Sequence, residues 1–327
     1  MSKKLLITLS IVLLMVILTF FVENSDDTTA SDSKIGETIG EIYSDDIDEI
    51  VISNDNENIK IVQKDSRWIL EKYNYLASST IVFDLLDRIN KEKIADLIST
   101  NKSNFSKLGF KDDGNSAKKK VELLKGGETK LSFLLGENRS KGGQYLKYVG
   151  EDKVYLIHEA YNPPLNAANT LDKKLPKIDQ EKISEIMIAM SNESFALKPI
   201  KGEEGKISYH LLINDKTADA NDQAKKLFES IAHINFSQIS ELNQLENINQ
   251  KKYTELTIHN IDNNQLSIKV FETTADEDTK IYWLSLSGDD FLRSMNYDPS
   301  WFQNNLFKIN SSIADNILKN KNTYLKK

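Results

Sequence analysis

The sequence predicts an α+β protein in which an N-terminal transmembrane helix is followed by two related modules, each a mainly antiparallel sheet with a helix packed on one face. Three observations predict it: an uncharged apolar run at residues 5–22, a twelve-residue pattern that occurs twice, and an apolar helix face that follows each occurrence at nearly the same distance. At 327 residues the chain exceeds the usual ~100 to 200 residues of one domain, so it has room for two cores.

The run "LLITLSIVLLMVILTFFV", residues 5–22, holds eighteen consecutive positions without a charge. As a helix it reaches ~27 Å at ~1.5 Å per residue, close to a hydrocarbon core ~30 Å thick. It reads as a retained single-pass anchor in a cell membrane. The competing reading is a cleaved signal peptide, whose apolar region is usually ~7 to 15 residues and ends in a small-x-small site, for which "TTA" at 28–30 is the nearest match. Both readings export the remainder. Lys3 and Lys4 precede the run while Glu23, Asp26, Asp27 and Asp32 follow it, which leaves residues 1–4 as a cytoplasmic stub and the bulk extracytoplasmic. Residues 23–40 have the polar, acidic composition of a flexible tether.

Setting aside Lys3 and Lys4, 40 basic residues face 49 acidic ones, a net charge of −9, with no basic stripe to track phosphates. Nucleic acid and nucleotide are therefore not expected partners. The chain has no cysteine, which excludes disulfides, lipid attachment to a thiol and thiolate–metal chemistry.

The repeated pattern is "IGEIYSDDIDEI" at 39–50 and "LPKIDQEKISEI" at 175–186. Ile42, Ile47, Glu49 and Ile50 stand 136 positions before Ile178, Ile183, Glu185 and Ile186, and each set runs into a strand-like segment, "EIVIS" or "EIMIA". Val82, Leu85, Leu86 and Ile89 then occupy i, i+3, i+4 and i+7, the spacing of one helix face, with Ser78 or Ser79 as an N-cap. Ala224, Leu227, Phe228 and Ile231 repeat that face 142 positions later. Each helix is followed by extended runs that bend at Gly126–Gly127 or Asn263–Asn264, and then by Tyr-rich strands. The modules are placed at 41–165 and 175–290, with 291–327 a C-terminal cap or tail. "LFKINSSIADNI" at 306–317 reads equally as a truncated third start, a cap or a simple amphipathic helix.

"RWILEK" at 67–72, the helix, "FSKLGF" at 105–110, "LLGE" at 134–137 and "YLKYVGEDKVYLI" at 145–157 together resemble the bacterial family catalogued as domain of unknown function 4340. The resemblance covers roughly residues 45–165. The second half matches in layout but lacks a counterpart of Leu108, Gly109 and Phe110. The resemblance implies a membrane-anchored extracytoplasmic protein linked to ABC transport systems, with transporter subunits as protein partners. It brings no active site.

The local chemistry is sparse. His158, His210, His233 and His259 show no metal-ligand spacing, and Gly-x-Ser-x-Gly, a P-loop and a dinucleotide fingerprint are absent. Asp276, Glu277 and Asp278 lack the spacing and glycine of a calcium loop. In "GENRSKGGQY", Arg139 and Lys141 beside Gly142 and Gly143 can wrap an anion, although the same residues also suit a plain hairpin. Trp68 and Trp283 sit among aliphatic residues and read as core; Trp301, in the loop-like "YDPSWFQNN", suits either a core position or stacking on a sugar. The expectation is a non-catalytic, cofactor-free and metal-free accessory or interaction component of an ABC-type transport or envelope system, with Arg139, Lys141 and Trp301 as binding residues. The alternative is an envelope glycan-binding protein or carboxylate-dependent hydrolase with a site between the modules.

Overall fold

The computed structural model describes residues 34–111, 117, 119–164, 166–202, 206–214, 216–241, 243, 253–274 and 279–326. The apolar run expected as a membrane span lies outside them, and among the described residues no helix is long and apolar enough to cross a membrane.

Among the described residues, two nine-stranded sheets hold most of the regular secondary structure. The first contains β1 (Glu49–Asn54), β2 (Asn58–Lys64), β3 (Arg67–Leu70), β4 (Tyr75–Leu76), β5 (Ile94–Ser99), β6 (Lys119–Lys125), β7 (Glu128–Asn138), β8 (Gln144–Tyr148) and β9 (Val154–Ile157). The second contains β10 (Ile183–Ala189), β11 (Ser194–Lys201), β12 (Ile207–Ile213), β13 (Lys216–Asp219), β14 (Phe236–Glu241), β15 (Tyr253–Asn260), β16 (Gln265–Thr274), β17 (Lys280–Ser287) and β18 (Asn305–Ile309). Their strand orders are β4-β3-β2-β1-β6-β7-β8-β9-β5 and β13-β12-β11-β10-β15-β16-β17-β18-β14. Adding nine to each label of the first order gives the second. Helix α1 (Ser79–Lys91) follows β4, and α2 (Asp222–Ala232) follows β13.

Some strands alternate so that one face of the pleat is buried and the other meets solvent, as along Tyr253–Asn260, whereas Val154–Ile157 is buried on both faces. The register is repeated as well. Ile50 pairs with Ile61 and Ile52 with Ile59, and 136 residues later Ile186 pairs with Leu197 and Ile188 with Phe195. The β5–β9 ladder is interrupted between Ile94 and Asp96, and the β14–β18 ladder between Phe236 and Gln238, 142 residues on. A bulge kept at one position is a designed irregularity of the fold.

The twice-written dodecamer now has a structural role. Its first residues run antiparallel beside the strand that ends the sheet. The Ile39 N–H donates to the Glu92 carbonyl at 3.0 Å and the Ile94 N–H to the Glu37 carbonyl at 2.8 Å; in the second repeat Leu175 donates to Ile234 at 2.9 Å and Phe236 to Lys173 at 3.1 Å. The remaining residues enter β1 or β10, burying Ile47, Ile50, Ile183 and Ile186. Each repeat also closes on a short turn, Ala167–Asn169 or Lys321–Thr323. The chain after it bridges Ala77 through Leu171, or Ala220 through Leu325. The Ser78 N–H donates to the Thr170 carbonyl at 2.7 Å, as Asn221 does to Tyr324 at 2.9 Å.

These pairings correct three expected boundaries. Residues 34–40 belong to the first repeat and are not the end of a tether, because Ile39 is buried and its backbone is hydrogen-bonded. The second sheet continues past residue 290 to β18, and 291–327 completes the second repeat instead of trailing from it. "LFKINSSIADNI" is no third start: its opening residues lie in β18 and the rest forms α4 (Ser311–Ile317), preceded in the chain by α3 (Asp289–Ser294). Packing divides the chain differently from the sheets. Of the described residues, one compact unit comprises those up to Tyr43, Leu86–Val121 and Leu131–Tyr161, and the other Ser44–Leu85, Glu122–Lys130 and those from Asn162 onward.

Both expected helix faces are buried, Val82, Leu85, Leu86 and Ile89 in α1 and Ala224, Leu227, Phe228 and Ile231 in α2. Asn221 caps α2 by accepting from the Gln223 N–H at 2.8 Å, and Phe228 packs on Tyr209 of β12 with ring centroids 4.7 Å apart. Leu85 is 1% and Leu227 0% exposed, so Leu85→Asp and Leu227→Asp each bury an unpaired charge. Each should lower unfolding stability by about 3 kcal/mol or more in denaturant titrations.

Candidate functional site

The shared strand order allows the two sheets to be compared position by position. Gln144 pairs with Ile157 where Tyr282 pairs with Ile309, and Leu135 pairs with Leu146 where Val270 pairs with Leu284. The next rung places Leu134 opposite Lys147 in the first sheet and Lys269 opposite Ser285 in the second. The two repeats diverge on the face that these residues share.

In the first repeat this face is closed by the chain itself. Asn101 caps a short 3-10 turn, a second turn at Ser106–Leu108 ends on Gly109 at φ +92°, and the segment sets Phe105 and Phe110 against Leu134 and Val154. The approach is close enough to require glycine twice. A Cβ on Gly109 would lie 2.5 Å from the Glu137 amide nitrogen, and one on Gly136 would overlap the Leu108 carbonyl oxygen. Lys147 is only 1% exposed; its ammonium lies 5.6 Å from the Phe105 ring centroid and donates to the Tyr148 carbonyl at 3.4 Å.

In the second repeat the corresponding face carries the cluster of Phe271, Trp283 and Leu306, with Phe271 at the position of Gly136. It borders an open cleft of about 400 Å³ whose lining includes Tyr253, Lys269, Phe271, Ser285, Asp289 and the turn Gln303–Asn305. The Lys269 ammonium lies 4.7 Å from the Tyr253 ring centroid, and Tyr253 meets Phe271 at 5.6 Å. A second, polar cleft of about 480 Å³ shares that turn and includes Glu71, Tyr73 and Asn74.

The turn is held from behind. The Asn305 side-chain N–H group donates to the Trp301 carbonyl at 2.8 Å and to the Tyr73 carbonyl at 2.9 Å, while Asn74 donates to the Ser300 carbonyl at 3.2 Å. Beneath it, Tyr75 packs against Phe236, Phe302 and Phe307 at 5.2 to 5.8 Å, and its hydroxyl donates to the Lys174 carbonyl at 2.9 Å. Burial pushes the phenols of Tyr75, Tyr148 and Tyr324 well above the ordinary tyrosine range.

Of the residues singled out from sequence, Arg139 and Lys141 share one exposed turn between β7 and β8. It is closed by the Arg139 N–H to the Gly143 carbonyl at 2.9 Å and the Gly142 N–H to the Arg139 carbonyl at 3.0 Å. Trp301 belongs to the other compact unit and is not the stacking platform expected. It is 5% exposed, edge-on to Tyr297 at 6.1 Å, with the Arg67 guanidinium 5.4 Å from its ring centroid. Its polar neighbours in the sequence concealed that burial. Trp283 is buried and Trp68 half-buried. Asp276, Glu277 and Asp278 lie outside the described residues. His210 faces Asp219 at 3.6 Å across β12–β13, and among the described residues no three His, Asp or Glu side chains are grouped to hold a metal ion. Sequence reasoning missed Lys269 and Ser285; the signal pointing to them was the lack of a second Leu-Gly-aromatic element.

A family model described as "Domain of unknown function (DUF4340)" matches residues 68–257, and so spans parts of both repeats. No curated protein and no solved structure matches the chain.

Gly136→Ala should lower stability by about 2 kcal/mol or more in denaturant titrations, because the Leu108 carbonyl cannot withdraw without moving Phe110. The buried phenols set a pH dependence with a definite sign. A folded pKa above the unfolded value of ~10 keeps the hydroxyl neutral in the fold, so its contribution is complete below about pH 10 and is lost as pH rises further. Stability measured from about pH 9 to 12 should fall, and Tyr75→Phe should flatten the fall while costing about 1 kcal/mol at neutral pH for the lost hydrogen bond.

Proposed function

The chain belongs to the family described as Domain of unknown function (DUF4340), and on that premise we propose that it is a non-catalytic, membrane-anchored extracytoplasmic protein serving as an accessory or interaction component of an ABC-type transport or envelope system. The observation that carries this reading is the eighteen-residue uncharged run at 5–22 followed directly by an acidic, polar stretch. The described residues at the far end of that stretch are already packed. Lys34 pairs with Glu151 at 2.7 Å, and its ammonium lies 3.7 Å from the Tyr148 ring centroid. Residues 23–33 reach at most about 40 Å when fully extended, so the proposed anchor would keep the body near the membrane, within range of membrane-bound partners.

A further feature supports an interaction role: Arg139 and Lys141 offer an exposed cationic turn for a partner surface. The burial of Trp301 speaks against that indole as a stacking platform in the glycan-binding alternative.

Full-length protein should sediment with membranes and resist alkaline extraction, and removal of residues 5–22 should release it. Recovery of the intact chain in the alkaline supernatant would refute the anchor. Crosslinking in membranes followed by affinity purification should enrich membrane subunits of a transporter; consistent recovery of the protein without any such subunit would refute the partner.

A further inference from the structure

We propose that the cleft between β16–β17 and the Gln303–Asn305 turn binds a short neutral saccharide. This goes beyond the anchored-partner reading and does not depend on it. The first support is the comparison of repeats. On the same rung of the same ladder, the first sheet carries Leu134 and Lys147 sealed beneath Phe105, whereas the second carries Lys269 and Ser285 in the wall of a cleft of about 400 Å³. One scaffold has an internal lid over this face, and the other leaves space bordered by polar groups.

The second support is the chemistry of the lining. Phe271, Phe302 and Leu306 form an apolar floor, each at most 5% exposed, and the half-buried Tyr253 lies beside it. Around that floor stand Lys269, Ser285, Ser287, Asp289, Gln303 and Asn304. Among the described residues none of these six side chains has a hydrogen-bond or ion-pair partner, although Lys269 is stacked on Tyr253. A wholly apolar ligand would leave these donors and acceptors unmet at a desolvation cost. One ammonium and one carboxylate balance each other, which removes the net field that a phosphate or polyanion would require. A sugar ring fits both demands, with C–H edges for the aromatic floor and hydroxyls that donate to Asp289 and accept from Lys269 and the amides. The volume lies at the lower end of the ~300 to 1,000 Å³ typical of small-molecule sites.

The test uses full-length protein in detergent, titrated with cellobiose, maltose and N,N′-diacetylchitobiose to about 10 mM by calorimetry and ligand-detected NMR. At least one disaccharide should bind with millimolar or tighter Kd. Lys269→Leu, which installs the first repeat's residue, and Asn304→Gly, which keeps the positive φ at that position, should each weaken that binding at least tenfold with the melting temperature unchanged, while Lys226→Ala on the exposed side of α2 leaves it intact. If either variant fails to fold, Gln303→Ala takes its place. The proposal is overturned if none of the three sugars binds at about 10 mM, or if binding survives in folded cleft variants. Membrane extraction and crosslinking remain as measured in either case, so failure of the cleft is distinguishable from failure of the anchor.

Discussion

A sheet edge is a row of backbone donors and acceptors that must be paired, covered or left to water. Both repeats of this protein meet that requirement in the same way, and their architecture follows from it. The incoming chain runs beside β5 or β14 before crossing to begin β1 or β10. The outgoing chain makes a short turn and bridges the segment just after β4 or β13. Each repeat is therefore bracketed by its own ends. For that reason the spacing between repeats is conserved at the lead-in and at the helix, and the six-residue difference between them falls among connections. Ile61 and Leu197 are still 136 apart, while Leu70 and Leu211 are already 141 apart, which places most of the extra length in the β11–β12 hairpin.

The sequence disclosed the parts of this plan that rest on periodic burial. Ile47, Ile50, Ile183 and Ile186 are apolar because they point into a core, and the i, i+3, i+4, i+7 faces of α1 and α2 are apolar for the same reason. The closing turns were hidden because they work through backbone groups: Asn166 to Leu171 and Asn320 to Leu325 share little beyond their first and last residues. "LFKINSSIADNI" misled because a short buried strand followed by a helix has the same apolar spacing as a lead-in followed by a strand. Trp301 misled for the opposite reason. Asp298, Ser300 and Asn304 suggest an open loop, but Arg67, distant in sequence, packs on the indole together with the neighbouring Tyr297.

The candidate site illustrates how one ladder serves two ends. In the first repeat Gly136 admits the Leu108 backbone, so the chain can lay Phe105 and Phe110 over the sheet and bury even the stem of Lys147. In the second, Phe271 occupies that position and clusters with Trp283 and Leu306, and the next rung carries the polar Lys269 and Ser285. Exchange of a glycine for a phenylalanine thus moves the aromatic mass from a covering segment into the sheet itself. The departure visible in the sequence, a missing Leu-Gly-aromatic element, therefore marks where the repeats differ in exposure and not where one of them fails to fold.

The wall of that cleft is also stiffer than its sequence suggests. Gln303 and Asn304 are exposed, and Asn304 holds φ at +62°, a conformation that asparagine tolerates better than most residues. The next residue, Asn305, is 5% exposed and commits both protons of its amide to carbonyls, one within its own turn and one at Tyr73. Phe302 and Phe307 on either side are locked against Tyr75, whose hydroxyl is itself bonded to Lys174. A turn anchored by buried amide bonds and flanked by packed rings loses little freedom when a ligand arrives, so polar groups at its tip can contribute to affinity instead of being consumed in ordering the loop. Sequence neighbours alone make 297–304 look like a disposable connection; the asparagine and the aromatic cluster behind it turn that stretch into a rigid rim.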